Sequence, residues 1–364
     1  MIGSPQDETQ RKASYWHPEG EHLLCDLCPK RCKISEGGFG YCGTRTNLKG
    51  QMVATNYGKV CVSTVDPIEK KPIYHFHPGA RLFSLGTYGC NLDCGYCQNS
   101  VLARSKDEEA PYVRMSPEEV VQTALGKGVQ GVAWTFNEPN VWFEFIMDTA
   151  EVLKAAGLFT VLNSNGYIEP WAAEDLYEVT DAANIDIKGF TEKFYRSQCG
   201  GSLESVQETC EIALEAGTHL ELTYLLVPGL NDSIKEVARF AAWVADELGV
   251  DIPVHLFRFS PFYRMSHLPE ASMERMEEAY QAAMKEGLEY VYFGGVTGHL
   301  HQSTLCPRCG ELLIGRSAKE ATEEIFVRHE RISRFCPTYA QVSVRLDRGR
   351  CPKCGLRPPI KIQP

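Results

Sequence analysis

Three closely spaced cysteines are the residues of this chain best suited to chemistry. The stretch GTYGCNLDCGYCQN, residues 86–99, contains Cys90, Cys94 and Cys97, with Tyr96 directly before the last cysteine. Thiolates are soft donors that select iron–sulfur clusters, zinc or copper(I). A structural zinc ion takes four ligands, and the nearby sequence offers no obvious fourth. On a cluster of four irons, three cysteines would leave one iron open, which predicts a place where a second molecule binds.

A second group of cysteines lies near the C-terminus. Cys306 and Cys309 stand in LCPRCG, and Cys351 and Cys354 stand in RCPKCG. Two such knuckles typically bring four thiolates to one tetrahedral zinc ion, so this segment predicts a structural zinc ribbon. Rubredoxin-like iron is the alternative. Residues 310–350 form a long insert between the pairs, and Cys336 within it has no assigned role.

A third group near the N-terminus comprises four cysteines within LCDLCPKRC…GYC. These thiolates predict either zinc or an auxiliary [4Fe–4S] cluster that relays electrons, and the glycine-rich SEGGFG bend slightly favours zinc. Metal binding would supply folding energy to a segment with little else to fold around. The remaining cysteines of the chain, Cys61, Cys199, Cys210 and Cys336, are interpreted as small buried apolar residues. The members of the N-terminal group are Cys25, Cys28, Cys32 and Cys42.

Composition limits the class of protein. The chain has 364 residues, 43% of them hydrophobic, and a formal net charge of −10. An acidic chain lacks the broad basic face of a nucleic-acid-binding protein, so nucleic acid is an unexpected partner. No apolar run is long enough to cross a membrane, and residues 1–14 lack an apolar core, so we expect a disordered leader and a cytoplasmic location. Many cysteines in a reducing compartment indicate metal binding rather than disulfides.

The region between the cysteine groups alternates predicted strands and helices. Helices are predicted at 116–128, 140–157, 202–217 and 233–249, most of them beginning with serine and ending with glycine. This alternation predicts a parallel sheet in an α/β fold, and its length fits a partial (β/α)6 barrel better than a closed eight-unit barrel. The predicted segments are a cysteine-rich N-terminal segment (15–80), the barrel (81–300) and the zinc ribbon (301–364). The predicted strands are 81–86, 131–136, 158–164, 182–188, 219–227, 253–259 and 289–294.

Polar residues follow several of these strands, where a parallel barrel places its active site. Asp186 and Lys188 lie on one face of a strand that is otherwise apolar, as either a structural ion pair or a contact to a ligand. His255 is either a core residue or part of the site. The candidates at strand ends are Asn137 and Glu138 of TFNEP, Asn163, Ser164 and Asn165 of NSNGY, Asp186 and Lys188 of NIDIKG, and His255 and Arg258 of HLFRFSPFYRM.

The central motif resembles the radical S-adenosylmethionine (SAM) superfamily, whose signature is CxxxCxxC with an aromatic residue before the last cysteine. Cys90, Cys94, Tyr96 and Cys97 match it fully. The resemblance implies that SAM chelates the open iron of a [4Fe–4S] cluster. Reduction by one electron then cleaves SAM and releases a 5′-deoxyadenosyl radical. It also implies oxygen sensitivity and a low-potential electron donor such as ferredoxin or flavodoxin.

The resemblance extends to the SAM-binding residues. Relatives carry a Gly-Gly-Glu stretch that holds the SAM amino group, and here Glu138 matches the glutamate while Asn137 replaces a glycine. Asn163 and Asn165 are then expected to hydrogen-bond the ribose or the carboxylate of SAM. The substrate is expected near Asp186, Lys188, His255 and Arg258.

Over most of its length the sequence resembles radical SAM proteins akin to pyruvate formate-lyase activating enzymes, and specifically the AmmeMemoRadiSam-system member. This resemblance implies Memo-like and AMMECR1-like proteins as partners. The expected function is hydrogen abstraction from an unidentified substrate. The alternatives are an activase that forms a glycyl radical on a partner enzyme, and a non-catalytic metal-binding adaptor.

Overall fold

The computed structural model describes residues 11–106, 110–319, 322–327, 330–335 and 338–362. Cys336 and residues 1–10 of the predicted leader lie outside this part of the chain. Residues 11–14 belong to the fold rather than to a disordered leader. Arg11 and Lys12 pair with a strand at Gln51–Ala54, and Ala13 is buried, because these residues complete the edge of a small sheet. No described helix has the length and apolar run that crossing a bilayer requires.

Short antiparallel strands form the N-terminal segment. They are β1 (Arg11–Lys12), β2 (Trp16–Glu19), β3 (His22–Cys25), β4 (Lys33–Ile34), β5 (Arg45–Leu48), β6 (Gln51–Ala54) and β7 (Lys59–Val60). Two sheets have the orders β1-β6-β5 and β2-β3-β4, and β7 pairs with β10 (Val113–Arg114). Cys25 ends β3, and the loops between these strands carry Cys28, Cys32 and Cys42.

An eight-stranded sheet forms the centre of the molecule. Its strands are β8 (Val62–Pro67), β9 (Arg81–Gly86), β11 (Gly131–Trp134), β12 (Phe159–Ser164), β13 (Ala182–Ile187), β14 (His219–Leu226), β15 (Val254–Arg258) and β16 (Val291–Gly294). From β9 to β16 the strands are parallel neighbours in chain order, while β8 pairs antiparallel with β9. β8 and β16 are the two edges, so the barrel is partial, as predicted.

Helices connect the parallel strands. They are α1 (Ser100–Arg104), α2 (Pro117–Gly126), α3 (Phe143–Ala155), α4 (Pro170–Glu178), α5 (Glu192–Phe194), α6 (Leu203–Glu215), α7 (Ile234–Trp243) and α8 (Met273–Lys285). The serines that were predicted to begin three of the helices do cap them. Ser116 caps α2 in a capping box with Glu119, and Ser202 and Ser233 cap α6 and α7. Gly217 follows α6 with φ +81°, a left-handed conformation that glycine adopts without steric cost.

All seven strands predicted between residues 81 and 294 are present, but the sheet begins earlier than predicted. β8 belongs to the barrel sheet, although the sequence places it in the cysteine-rich segment. The chain from Ile68 to Ala80 then enters the space beside the sheet, where Ile68, Ile73 and Phe76 pack in a core cluster with Val161. A boundary at residue 80 therefore divides a single packed unit.

The C-terminal segment covers the amino ends of the barrel strands. Its strands are β17 (Thr304–Leu305), β18 (Leu312–Lys319), β19 (Thr322–Val327), β20 (Glu330–Phe335) and β21 (Thr338–Val344). β18 pairs with β17 and β21, and β19 pairs with β20. Arg316 of β18 is buried and donates from Nη2 to the carbonyl oxygen of Tyr74 at 2.6 Å. Lys361 exchanges backbone hydrogen bonds with the segment at 75–77.

Candidate active site

A cavity of about 320 Å³ opens at the carboxyl ends of the barrel strands. Residues that follow β9, β11, β12, β13 and β15 line it together, although they lie far apart in the sequence. Most of the residues predicted for the site contribute to its wall: Cys90, Cys94, Tyr96, Cys97, Asn137, Glu138, Asn163, Ser164, Asn165, Asp186, Lys188 and Arg258.

The three-cysteine loop follows β9 directly and is held by a neighbouring strand end. Gly89, which precedes Cys90, has φ +88°. Nδ2 of Asn137 donates to the carbonyl oxygen of Gly89 at 2.9 Å, and its Oδ1 accepts from the backbone N–H of Thr87 at 3.0 Å. Asn137 thus fastens the loop to the end of β11. Because both polar atoms of its amide group are hydrogen-bonded to this loop, an asparagine is accommodated at this position.

The three thiols are not gathered as closely as ligands of a single ion would be. Around one tetrahedral zinc ion, sulfurs bound at about 2.3 Å lie about 3.8 Å apart. Among the described residues, the sulfurs of Cys90, Cys94 and Cys97 do not form a group within 4.8 Å of one another. Burial raises the pKa of Cys97 to about 11 and raises that of Cys90 further. Both therefore need a bound positive charge to ionise at neutral pH, which iron would supply.

Glu138 is buried at the cavity wall and lacks a cationic partner among the described residues. Its Oε1 accepts from Ser164 Oγ at 2.7 Å and from the Asn140 N–H at 3.0 Å, and its Oε2 accepts from the Asn165 N–H at 2.8 Å. Burial raises its pKa to about 7, against the lowering effect of these hydrogen bonds. The site therefore holds a fixed carboxylate whose ionisation an ammonium group would favour.

The other predicted SAM-binding residues surround this carboxylate. Asn165 donates from Nδ2 to Oδ1 of Asn91 at 2.9 Å and lies 3.8 Å from the Cys90 sulfur. Asn163 accepts from Thr135 Oγ1 at 3.3 Å. These amides join the glutamate wall to the cysteine loop, so a ligand bound between them would contact both.

Tyr96 is buried beside the last two cysteines of the motif. Its hydroxyl lies 3.5 Å from the sulfur of Cys199. A hydrogen bond with Cys199, together with burial, raises the pKa of Cys94. Cys199 and Cys210 are fully buried, as predicted, and Cys61 is partly buried. The sequence did not indicate that Cys199 contacts the motif, because the two are joined only by the fold.

Two predicted charged residues meet at the end of β13. Nζ of Lys188 donates to Oδ2 of Asp186 at 2.6 Å, and both line the cavity. Burial lowers the pKa of Lys188, but the carboxylate of Asp186 and the neighbouring Cys94 raise it more. Arg258 also lines the cavity, although its Nε donates to the Ala271 carbonyl and its guanidinium pairs with Glu270 at 2.9 Å. Arg258 therefore belongs to the rim of the cavity.

His255 does not reach this cavity. It is fully buried in β15, and its Nε2 hydrogen-bonds Oε2 of Glu221 at 2.6 Å. Phe257, two residues further along the strand, lines the cavity instead. Residues two apart share a face and are separated by about 7 Å along a strand, so His255 lies one layer below the wall. The structure therefore places His255 among the core residues, which favours the core alternative over a catalytic role.

A charged cluster at the cavity was missed in the sequence. Lys70 and Lys71 line the cavity and pair with Asp66 at 2.9 and 2.8 Å. The two lysines hold the pKa of Asp66 well below its usual value despite burial. Asp66 is the penultimate residue of β8, a strand that was predicted to lie outside the barrel. The adjacent DPIEKKP stretch was the available signal.

The C-terminal cysteines form a closed group. The sulfurs of all four lie within 4.8 Å of one another, with Cys306 and Cys354 at 3.5 Å and Cys309 and Cys351 at 3.6 Å. This spacing fits one tetrahedral ion. The site lies in the segment that covers the amino ends of the barrel strands, away from the cavity.

A second, unpredicted group comprises Glu277, His299 and His301, with ligand atoms within 4.8 Å. The ring of His301 stacks on Tyr280 at 3.7 Å. Nδ1 of His299 accepts a backbone N–H at 3.3 Å, which leaves the proton on Nε2 facing Glu277. Hydrogen bonding within the protein therefore accounts for this group.

The N-terminal cysteines are spaced differently from the C-terminal ones. Cys25 and Cys28 are buried, and Cys32 and Cys42 are partly buried. The backbone N–H of Cys25 donates to the carbonyl oxygen of Cys32 at 3.0 Å, and the N–H of Tyr41 donates to the Cys32 sulfur at 3.3 Å. No three of these four sulfurs, all within the described chain, lie within 4.8 Å of one another.

Comparison with known proteins agrees with this geometry. The model of the radical SAM superfamily matches residues 84–241. The uncharacterized protein MJ0808 of Methanocaldococcus jannaschii is 43% identical over 307 residues, covering 84% of this chain and 91% of that protein. The pyruvate formate-lyase 1-activating enzyme of Escherichia coli K12 is 24% identical over 186 residues, covering 49% of this chain and 75% of the enzyme.

A solved domain of a pyruvate-formate lyase-activating enzyme from Bacteroides vulgatus superposes with a TM-score of 0.40 at 18% identity, covering 45% of this chain and 99% of that chain. The sequence matches include the three-cysteine loop, and the fold places that loop at the carboxyl end of a parallel sheet. Residues 84–241 of this chain therefore form a radical SAM domain, of a superfamily whose members are enzymes, and the chain is homologous to pyruvate formate-lyase activating enzymes.

Proposed function

We propose that this protein cleaves SAM reductively and uses the resulting radical to abstract a hydrogen atom from a substrate. The observation that carries the proposal is the convergence of the three-cysteine loop, Glu138 and the Asp186–Lys188 pair on one cavity. When bound to Cys90, Cys94 and Cys97, a [4Fe–4S] cluster with an open iron supplies the reductive cleavage of SAM.

Glu138 and the neighbouring asparagines would bind and orient SAM. The Glu138 carboxylate accepts the SAM ammonium in a charge-assisted hydrogen bond, which is strong because the carboxylate is buried. Asn163 and Asn165 offer amide groups to the ribose or carboxylate. Because Asn165 also lies 3.8 Å from the Cys90 sulfur, it would hold SAM and the cysteine loop in a fixed relation.

The substrate would bind beside Asp186, Lys188 and Arg258. The first two residues present a fixed ion pair to the cavity, and Arg258 stands at the rim. Such groups recognise polar or charged parts of a substrate and exclude water from the reacting atoms. The electron would come from a low-potential donor of the ferredoxin or flavodoxin class.

A second candidate function is the activation of a partner enzyme through a glycyl radical. It is favoured by the 24% identity to pyruvate formate-lyase 1-activating enzyme over about half of this chain. Membership of the AmmeMemoRadiSam system, with Memo-like and AMMECR1-like partners, stays a prediction from the sequence. Formation of a glycyl radical on added pyruvate formate-lyase, measured by EPR, would support the activase over a small-molecule enzyme.

We further propose that Cys306, Cys309, Cys351 and Cys354 hold a structural zinc ion. Four thiolates close the coordination shell and leave no position for a substrate. If metal binding at these sites were the whole function, the protein would be an adaptor without catalytic activity.

The proposed reaction is tested by anaerobic reconstitution with iron and sulfide, followed by SAM and dithionite. We expect 5′-deoxyadenosine and methionine from the native protein and none from Cys90→Ala, which retains its zinc. Cys210→Ala is the matched control, because Cys210 is a fully buried cysteine remote from the cavity lining. Zinc at the central cysteines of the native protein, or bound iron without SAM cleavage, would refute the proposal and favour the adaptor.

A further inference from the structure

The three cysteine groups of this chain provide an internal comparison of sulfur spacing. The C-terminal group is gathered within 4.8 Å, as one ion requires, whereas the central group is more open. In a [4Fe–4S] cube each cysteine binds a different iron, so its ligands stand further apart than ligands that share one ion. The N-terminal group has four cysteines, enough to close a cube, and like the central group its described sulfurs do not gather three within 4.8 Å.

The N-terminal group also lies directly against the central loop. A methyl group on Gly89 would come within 2.5 Å of the carbonyl oxygen of Cys42 and 2.6 Å of the side chain of Thr44. The loop of Cys42 therefore packs on the residue that precedes Cys90.

A second path of contacts joins the same two loops through side chains. The Tyr41 ring lies 4.1 Å from Nζ of Lys30 and 6.0 Å from the guanidinium carbon of Arg104. Arg104 donates to the carbonyl oxygen of Cys90 at 3.3 Å. Tyr41 and Arg104 thus bridge the residue beside Cys42 to the first cysteine of the central motif.

We propose that Cys25, Cys28, Cys32 and Cys42 hold a second [4Fe–4S] cluster, closed by four cysteines, that passes electrons to the cluster site at Cys90. A ferredoxin- or flavodoxin-type donor loses one electron to this second cluster, which then passes it on and returns to its oxidised state. No bond forms or breaks at the second cluster. Zinc has no redox chemistry and cannot fill this role. The relay rests on the proposed SAM cleavage, but the presence of the cluster does not.

The cluster is tested in a full-length variant with Cys90, Cys94 and Cys97 all replaced by alanine. This variant leaves the N-terminal group untouched and cannot cleave SAM, so its metal content is independent of the proposed function. After anaerobic reconstitution we expect about four irons and four sulfides per chain, with one zinc. The reduced protein should give an EPR signal that SAM does not change. Two zinc ions and no iron per chain would overturn the proposal.

The relay is tested with Cys42→Ser in the otherwise native chain, with Cys210→Ala as the control. We expect Cys42→Ser to lose 5′-deoxyadenosine formation when reduced flavodoxin is the donor and to keep it with dithionite, which can reduce the central cluster directly. Unchanged turnover with flavodoxin would refute the relay. If Cys42→Ser fails to fold, the iron content of the triple alanine variant still decides the presence of the cluster. If the native protein fails with dithionite, it is the proposed function that fails.

Discussion

Two buried glutamates occupy opposite levels of the same barrel and behave in opposite ways. Glu221, in β14, accepts hydrogen bonds from His219 at 3.0 Å, from His255 at 2.6 Å and from two backbone N–H groups at 2.7 Å. Within the described part of the chain, Glu138 accepts only from a hydroxyl and two backbone N–H groups. Burial raises the pKa of both, but the two histidines reverse this for Glu221, whereas the pKa of Glu138 stays raised at about 7.

The difference distinguishes a structural carboxylate from a binding carboxylate. Glu221 ties the segment at Tyr74 and His75 into the barrel, and the protein itself provides its partners. Glu138 faces a cavity and lacks a cation among the described residues, so a ligand would complete its environment. The cysteine groups differ in the same way. The closed C-terminal group lies at the amino ends of the barrel strands, on the side of Glu221, whereas the N-terminal group contacts the loop that precedes Cys90.

The largest effect on SAM binding is expected from Glu138→Gln. The substitution keeps the shape of the side chain and removes its charge, so an ammonium loses a charge-assisted hydrogen bond. Loss of about 1.5–3 kcal/mol corresponds to about 10- to 150-fold weaker binding, measured by equilibrium dialysis of the reconstituted protein. Glu221→Gln is the matched control and should leave SAM affinity of the folded protein unchanged. Equal losses in the two variants would abolish the distinction.

The pH dependence of SAM binding should report the same carboxylate. Since the pKa of Glu138 is about 7, SAM affinity should weaken as the pH falls below that value, by up to about tenfold per unit. The free energy of unfolding should change in the opposite direction and rise as the pH falls. A raised pKa in the folded state means that protonation stabilises the fold between the ordinary glutamate pKa and 7. Calorimetry across this pH range would measure SAM affinity and stability separately. In Glu138→Gln both quantities should lack the pH dependence that this carboxyl group contributes.

A smaller effect is expected from Asn137→Ala, which removes the hydrogen bonds that fasten the cysteine loop. Each is worth about 0.5–1.5 kcal/mol, so the loop should be less ordered and lose iron several-fold faster to a chelator. The rate is measured by the decay of cluster absorbance. Asn163→Ala serves as the control, because Asn163 makes no hydrogen bond to the loop at 87–89 among the described contacts. Equal rates of iron loss would show that Asn137 does not hold the loop.

The smallest effect on SAM chemistry is expected from His255→Ala. Removal of the imidazole leaves an oxygen of Glu221 without its partner and should lower the free energy of unfolding by about 1–3 kcal/mol. Chemical denaturation measures this loss. Formation of 5′-deoxyadenosine per folded molecule should remain at the native level, and a specific loss of catalysis would restore His255 to the active site.

The sequence was sufficient for the seven parallel strands between residues 81 and 294, for four of the helices between them and for the central motif. Apolar segments bounded by turn residues, and helices opened by Ser116, Ser202 and Ser233, are local signals that need no tertiary information. The spacing of Cys90, Cys94 and Cys97 is equally local. A radical SAM domain could therefore be predicted from these residues, and the comparisons confirm it.

Only the tertiary structure decided how deep each polar side chain lies and which loops touch. His255 and Arg258 are three residues apart, yet the barrel places one in its core and the other at the cavity rim. Asp66 pairs with two lysines of the cavity wall, and Cys42 packs on the residue before Cys90, although the sequence assigns both residues to another region. Depth along a strand and contact across a barrel depend on curvature and packing between distant segments, and residue spacing does not encode these directly.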